Sequence, residues 1–96
     1  MAEVRVIARA VAREDKADEL KALLSGLVVP TRAEAGCVYD DLFESNLPGI
    51  FVFNELWQSQ AHLDAHAASS HFKQIFGKAD QILAEPLEVN LLTAVG

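Results

Sequence analysis

The stretch from Asn54 to Phe72 holds all three histidines of the chain, His62, His66 and His71, and its one tryptophan, Trp57. His62 and His66 are four residues apart, which puts two imidazoles on one face of a helix. That is the spacing of a metal-binding pair. A zinc helix needs more: no Glu follows His62, and His71 falls beyond a break at Ser69-Ser70, so no third ligand is in view. The residues therefore read as a site without metal. His62 reads as solvated.

Asn54 is out of place in an otherwise apolar strand. With Val52 and Leu56 turned toward the helices, it is a buried amide that must find hydrogen bonds, and it can polarise a substrate oxygen. Glu55 then faces the other way with Arg5, Arg9 and Glu88, which suits an ion-pair network or, alternatively, a buried carboxylate used as a base. Trp57 ends the strand just before a helix, where an indole suits the rim or wall of an aromatic pocket. Phe72 and Phe76 fall on an apolar helix stripe and suit either the core or an apolar cage. Cys37, the one cysteine, excludes an internal disulfide and reads as a small buried hydrophobe.

These residues need elements to hold them, and the chain supplies four strands and three helical segments. Residues 3–11 alternate, with Val4, Val6, Ala8 and Ala10 on one face, which is strand periodicity. Asp15 is placed to cap a helix in which Leu20, Leu23, Leu24 and Leu27 form one stripe. Pro30 is expected to interrupt that helix, and Gly36 to follow its end. Cys37–Glu44 and Ile50–Trp57 read as a hairpin around Ser45-Asn46-Leu47-Pro48-Gly49. Ser59 can cap a short helix over 60–67, and Ser69 or Ser70 the next, which Pro86 ends. A last strand alternates from Leu87 to Val95.

The order β-α-β-β-α-β predicts an α+β ferredoxin-like sandwich, with an antiparallel sheet and both helices on one face. The uncovered face should then be polar in a monomer. It carries Ile7, Val11, Leu92 and Ala94, so a second copy of the chain is expected to cover it.

At 96 residues the chain makes one domain, residues 1–96. A net charge of −6 argues against nucleic acid, whose binding needs a basic face, and against an anionic membrane surface. No apolar run approaches the roughly 20 residues that span a bilayer, and no signal peptide is read at the N-terminus, so a cytoplasmic protein is expected.

The element order, together with Arg32-Ala-Glu-Ala-Gly-Cys37, Glu55-Leu-Trp57, Ala61-His-Leu-Asp-Ala-His66 and Ser70-His-Phe72, resembles the antibiotic biosynthesis monooxygenase domain, in its quinol monooxygenase-like group. The resemblance covers essentially the whole chain. It implies a homodimer whose two sheets face each other in a barrel. It implies one of three activities: cofactor-free oxygenation of quinols or polycyclic phenols, haem degradation, or isomerisation of a phosphorylated signalling sugar. His66 and His71 match histidines of the family. Asp40 stands where the family often has a Tyr, and Tyr39 is one place early. Phe76 stands at the haem-ligating His position and Ile7 or Ala8 at the pocket Asn, which disfavours haem degradation.

The leading expectation is a cofactor-independent monooxygenase-like enzyme acting on a quinol or aromatic diol with O2. His66 would take the phenolic proton, since imidazole titrates near neutral pH. Asn54 would polarise an oxygen in the same pocket. Trp57, His71, Phe72 and Phe76 would bind the aromatic substrate, with no cofactor and no metal. The sugar-phosphate isomerase is the alternative on the same fold, weakened because 54–72 contains no Lys or Arg. A non-enzymatic dimer that binds a small ligand is the third.

Overall fold

The computed structural model describes residues 2–96. Strand β1 (Val4–Val11) leads to helix α1 (Ala17–Arg32), then to strands β2 (Cys37–Glu44) and β3 (Ile50–Trp57). Helices α2 (Gln60–Ala67) and α3 (Ser70–Ala79) follow, then a single 3-10 turn, Asp80–Ile82, and strand β4 (Glu88–Leu92). The four strands pair antiparallel in the order β2-β3-β1-β4. This is the ferredoxin-like arrangement the element order predicts.

Local chemistry accounts for most boundaries. Leu20, Leu24, Leu27 and Thr31 form the buried stripe of α1, and Asp18 and Glu19 lie in its first turn, where the macrodipole favours them. The expected Asp15 cap is not made: Lys16 holds the cap position with no side-chain bond. Pro30 does not interrupt α1 either. It sits in the last turn, where its missing N–H forfeits one bond, and burial of Leu27 and Thr31 on either side of it carries the helix through. Ser59 and Ser69 cap α2 and α3, accepting from the N–H of His62 and Phe72. The β2–β3 turn closes through Ser45 N–H to Ile50 O, with Gly49 at φ +78. Strand β4 is shorter than the alternation from Leu87 to Val95 suggests. It pairs only along β1, and the pairing ends where Leu92 meets Arg5.

The core lies between one face of the sheet and the helices. Ala8, Ala10, Phe51 and Phe53 supply the sheet side; Leu20, Leu24, Leu27 and Ala79 supply the helix side. Strand β3 buries its odd positions, Phe51, Phe53, Glu55 and Trp57, beneath the helices, and leaves Val52, Asn54 and Leu56 on the other face. This reverses the expected orientation of the strand. Asn54 pairs with Ile7 and Asp41 on the open face, not with the helix-side residues. Both faces of β3 are rich in apolar residues, so alternation alone did not choose between them. The larger rings of Phe51, Phe53 and Trp57 take the core. Among the described residues, no helix is long and apolar enough to cross a membrane.

Candidate active site

A cavity of about 280 Å³ opens between the sheet and the helices. Leu24 and Leu27 of α1, Phe53 of β3, and Phe72 and Phe76 of α3 give it a largely apolar wall. Phe72 and Phe76 stack in parallel with centroids 5.4 Å apart. The polar groups reaching the wall include Thr31, Asp40, Glu55 and His66.

His66 is placed by the turn after α1. Gly36 stands at φ +82, and a Cβ there would come within 2.1 Å of the His62 ring, so only glycine fits beneath that imidazole. Gln58 N–H donates to Gly36 O and ties this turn to the end of β3. The turn brings Glu34 under α2 and α3. Its Oε2 lies 2.7 Å from His66 Nδ1 and 2.7 Å from His71 Nε2. One carboxylate oxygen thus takes two N–H donors, which fixes the His66 tautomer with Nδ1 protonated and leaves Nε2 to accept. Ser69 Oγ donates to His66 O and lies 3.3 Å from His71 Nε2, pinning the α2–α3 junction.

Glu34, His66 and His71 offer ligand atoms that lie within 4.8 Å of one another. Their 2.7 Å spacings are those of charge-assisted hydrogen bonds. The edge of a tetrahedral zinc shell is about 3.3 Å, so the trio would have to spread to hold an ion.

Trp57 is fully buried and lies behind His66, not at the cavity rim as its place at the strand end suggests. The two rings lie 4.9 Å apart. The indole Nε1–H donates to Glu55 Oε1 at 2.9 Å. Glu55, only 7% exposed, sits on the cavity side and not in the expected network with Arg5, Arg9 and Glu88. Arg5 instead bonds the Tyr39 hydroxyl, and Arg9 pairs with Glu85. Burial pushes the Glu55 carboxyl above its ordinary value, opposed by the Trp57 bond and by His66.

Asp40 faces the same cavity and is 1% exposed. A bulge between Cys37 and Tyr39 shifts the β2 register, so Asp40 pairs with Glu55 across the strands. Burial first, and then the neighbouring Glu55, raise its carboxyl to about 7. Burial likewise raises the half-buried Cys37 thiol to about 11, which leaves it unreactive at neutral pH.

The structure therefore unites His66, Phe72 and Phe76 around the cavity, with Trp57 and His71 supporting His66 from outside it. Asn54 lies on the opposite face of the sheet, so the expected Asn54–His66 pocket does not form. His62 is half-buried over Gly36, with Nδ1 2.7 Å from Ser59 Oγ, and is not a solvated side chain. Glu34 is the polar site group that sequence reasoning left out; Glu55 was expected on the other sheet face, and Asp40 was noted only as standing at the family's Tyr position. Glu34 stands in the Arg32–Cys37 motif without any pattern that points to it. The acids of β2 and β3 needed the register.

Residues 3–78 match the model of the antibiotic biosynthesis monooxygenase family. The chain is 39% identical over 89 residues to Rv0793 of Mycobacterium tuberculosis, described as a "Putative monooxygenase", covering 93% of this chain and 88% of that protein. The solved structure of Rv0793 superposes with a TM-score of 0.92 at 37% identity, over 99% of this chain and 97% of that one. YcnE of Bacillus subtilis, also described as a "Putative monooxygenase", is 32% identical over 78 residues, 80% of this chain and 82% of that protein. A crystal structure described as an antibiotic biosynthesis monooxygenase gives a TM-score of 0.91 at 34% identity, over 97% of this chain and 99% of that one.

Proposed function

The chain belongs to the antibiotic biosynthesis monooxygenase family and is monooxygenase-like in kind, and we propose that it oxidises a quinol or related aromatic diol with O2, without a cofactor. The observation that carries this reading is the Glu34–His66 pair on the wall of an apolar cavity. A base oriented by a carboxylate beside stacked phenyl rings suits removal of a phenolic proton.

In the proposed reaction, His66 Nε2 takes the hydroxyl proton and Glu34 stabilises the imidazolium that forms. The phenolate passes one electron to O2, giving a phenoxyl radical and superoxide. The two recombine with a C–O bond at a ring carbon that bears hydrogen. The peroxide then loses that hydrogen, its O–O bond breaks, and the distal oxygen leaves as water with the proton returned from His66. A quinol and O2 thus yield a hydroxyquinone and water. The apolar wall keeps bulk water from the radical pair.

The open sheet face supports a homodimer as the working form. Ile7, Val11, Val52 and Leu56 lie half-buried on it, and Phe43 and Leu92 are exposed beside them. A second copy would bury this apolar surface.

The test is oxygen uptake with a panel of quinols, using ¹⁸O-labelled O2. One labelled oxygen in the quinone and one in water is the expected result. Binding of the quinols with no oxygen consumed would favour a ligand-binding role instead.

A further inference from the structure

Among the described residues, three buried side-chain oxygens have no hydrogen-bond partner: Thr31 Oγ1, Asp40 Oδ1 and Asp40 Oδ2. Both residues are 1% exposed, and both line the cavity, Thr31 from α1 and Asp40 from β2. A buried polar atom left without a partner costs free energy, and orphaned oxygens on one cavity wall mark where a ligand's polar atoms would sit. The nearby cation does not answer Asp40. Arg32 donates from Nε to the Asp40 backbone carbonyl, and from Nη2 to Asp41 Oδ1, on the outer side of β2. Glu55, paired with Asp40 across the strands, adds a second carboxyl to the same wall, and no Lys or Arg lines the cavity among the described residues.

We infer that Asp40 and Thr31 form the polar end of the ligand subsite, and that Asp40 selects an uncharged, mostly apolar ligand by accepting a hydrogen bond from its hydroxyl. Above about pH 8, where Asp40 is ionised and can only accept, an ether in place of that hydroxyl leaves its oxygens unanswered, and the binding test is run there. An anionic ligand meets the carboxyls of Asp40, Glu55 and Asp64 and no Lys or Arg. The inference rests on the aromatic-diol reading and sharpens it: the diol enters with one hydroxyl at Asp40, and sulfonated, phosphorylated or carboxylated aromatics are rejected.

The test is calorimetric binding under argon, where no turnover occurs. The probes are 1,4-dihydroxynaphthalene, 1,4-dimethoxynaphthalene and 1,4-dihydroxy-2-naphthoate. The wild-type chain should bind the diol about tenfold or more tightly than the ether or the carboxylate, the scale of one buried hydrogen bond left unmade. Asp40→Leu should bind the diol about tenfold more weakly and lose its preference over the ether. Asp40→Asn keeps the shape without the charge and should narrow the gap between the diol and the carboxylate. Neither variant should melt below wild type, because each removes a buried carboxyl that the fold does not pair. Equal wild-type affinity for diol and ether, undiminished diol binding in Asp40→Leu, or no diol binding at millimolar concentration would each overturn the inference. Oxygen uptake measured separately tells the two readings apart. Asp40-dependent diol binding with no oxygen consumed leaves this inference standing and removes the monooxygenase reading. Oxygen uptake with binding insensitive to Asp40 does the reverse.

Discussion

Glu34 holds His66 through one oxygen, with Oε2 2.7 Å from Nδ1, across a sequence separation of 32 residues. The bond sets which nitrogen of the imidazole can accept a proton, so the two residues should behave as a unit. His66→Ala is expected to lower turnover by about 10²-fold or more, as loss of a general base does. Glu34→Gln keeps the size but cannot stabilise an imidazolium, and a smaller loss in kcat is expected. The double variant should be no slower than His66→Ala alone, because Glu34 acts through the ring. Steady-state oxygen uptake on the four proteins measures this. Multiplying losses would show Glu34 acting independently of His66.

Asp40 gives a pH signature of its own. Burial holds its carboxyl at about 7, above the ordinary 3.8. Glu55, Asp41 and Glu34 push in the same direction, and Arg32 opposes them. Between these values the folded chain keeps a proton that the unfolded chain has released. The contribution of Asp40 to stability is therefore full below about 3.8 and is lost as pH rises through about 7. Asp40→Asn cannot titrate. Its Tm should exceed that of wild type at pH 8, and the difference should shrink toward pH 4. A constant difference across that range would mean that Asp40 titrates alike in the folded and unfolded chains.

Strand and helix positions were legible because periodicity reports burial. The stripe Leu20, Leu24, Leu27 and the alternation Val6, Ala8, Ala10 both end up in the core as their spacing implies. The site was less legible for three physical reasons. Strand β3 is apolar-rich on both faces, so its orientation depended on ring size at Phe51, Phe53 and Trp57. The β2 bulge changes which face Asp40 takes, and no pattern in Cys37–Glu44 announces it. Glu34 meets His66 only because the turn at Gly36 brings the end of α1 beneath α2. His66 and Phe72, which line the cavity, stand in motifs of one continuous stretch, and Phe76 follows Phe72 by one turn on the apolar stripe of α3.

Gly36 should be intolerant of any side chain. Its φ of +82 disfavours L-residues, and a Cβ would lie 2.1 Å from His62 Cγ. Gly36→Ala is expected to destabilise by about 1–3 kcal/mol in urea unfolding, the usual scale of such backbone strain. Pairing it with His62→Ala removes the ring contacts but leaves the residue 62 Cβ at 2.6 Å and the strained φ, so only part of the loss should return. Full recovery would assign the whole cost to the imidazole. No loss at all would show that the turn can be rebuilt without a left-handed residue.

The open sheet face predicts an assembly and separates Asn54 from the chemistry. Leu56 and Asn54 share that face with Ile7, while the residue between them, Glu55, reaches the cavity. A self-associating chain should sediment as a dimer at micromolar concentration. Leu56→Arg places a charge in the apolar patch and should shift the protein to monomer, since an unpaired charge is costly to bury. Asn54→Ala removes only an amide from the same face. With the dimer intact, its turnover should stay within about twofold of wild type, the scale of a substitution that touches no special feature. Glu55→Ala, one position along the strand, removes a carboxyl from the cavity wall and the acceptor of the Trp57 indole, and should lower turnover well beyond that. A monomeric wild type would remove the dimer. A large loss in Asn54→Ala with the dimer preserved would put a catalytic contribution on the sheet face that the cavity does not reach.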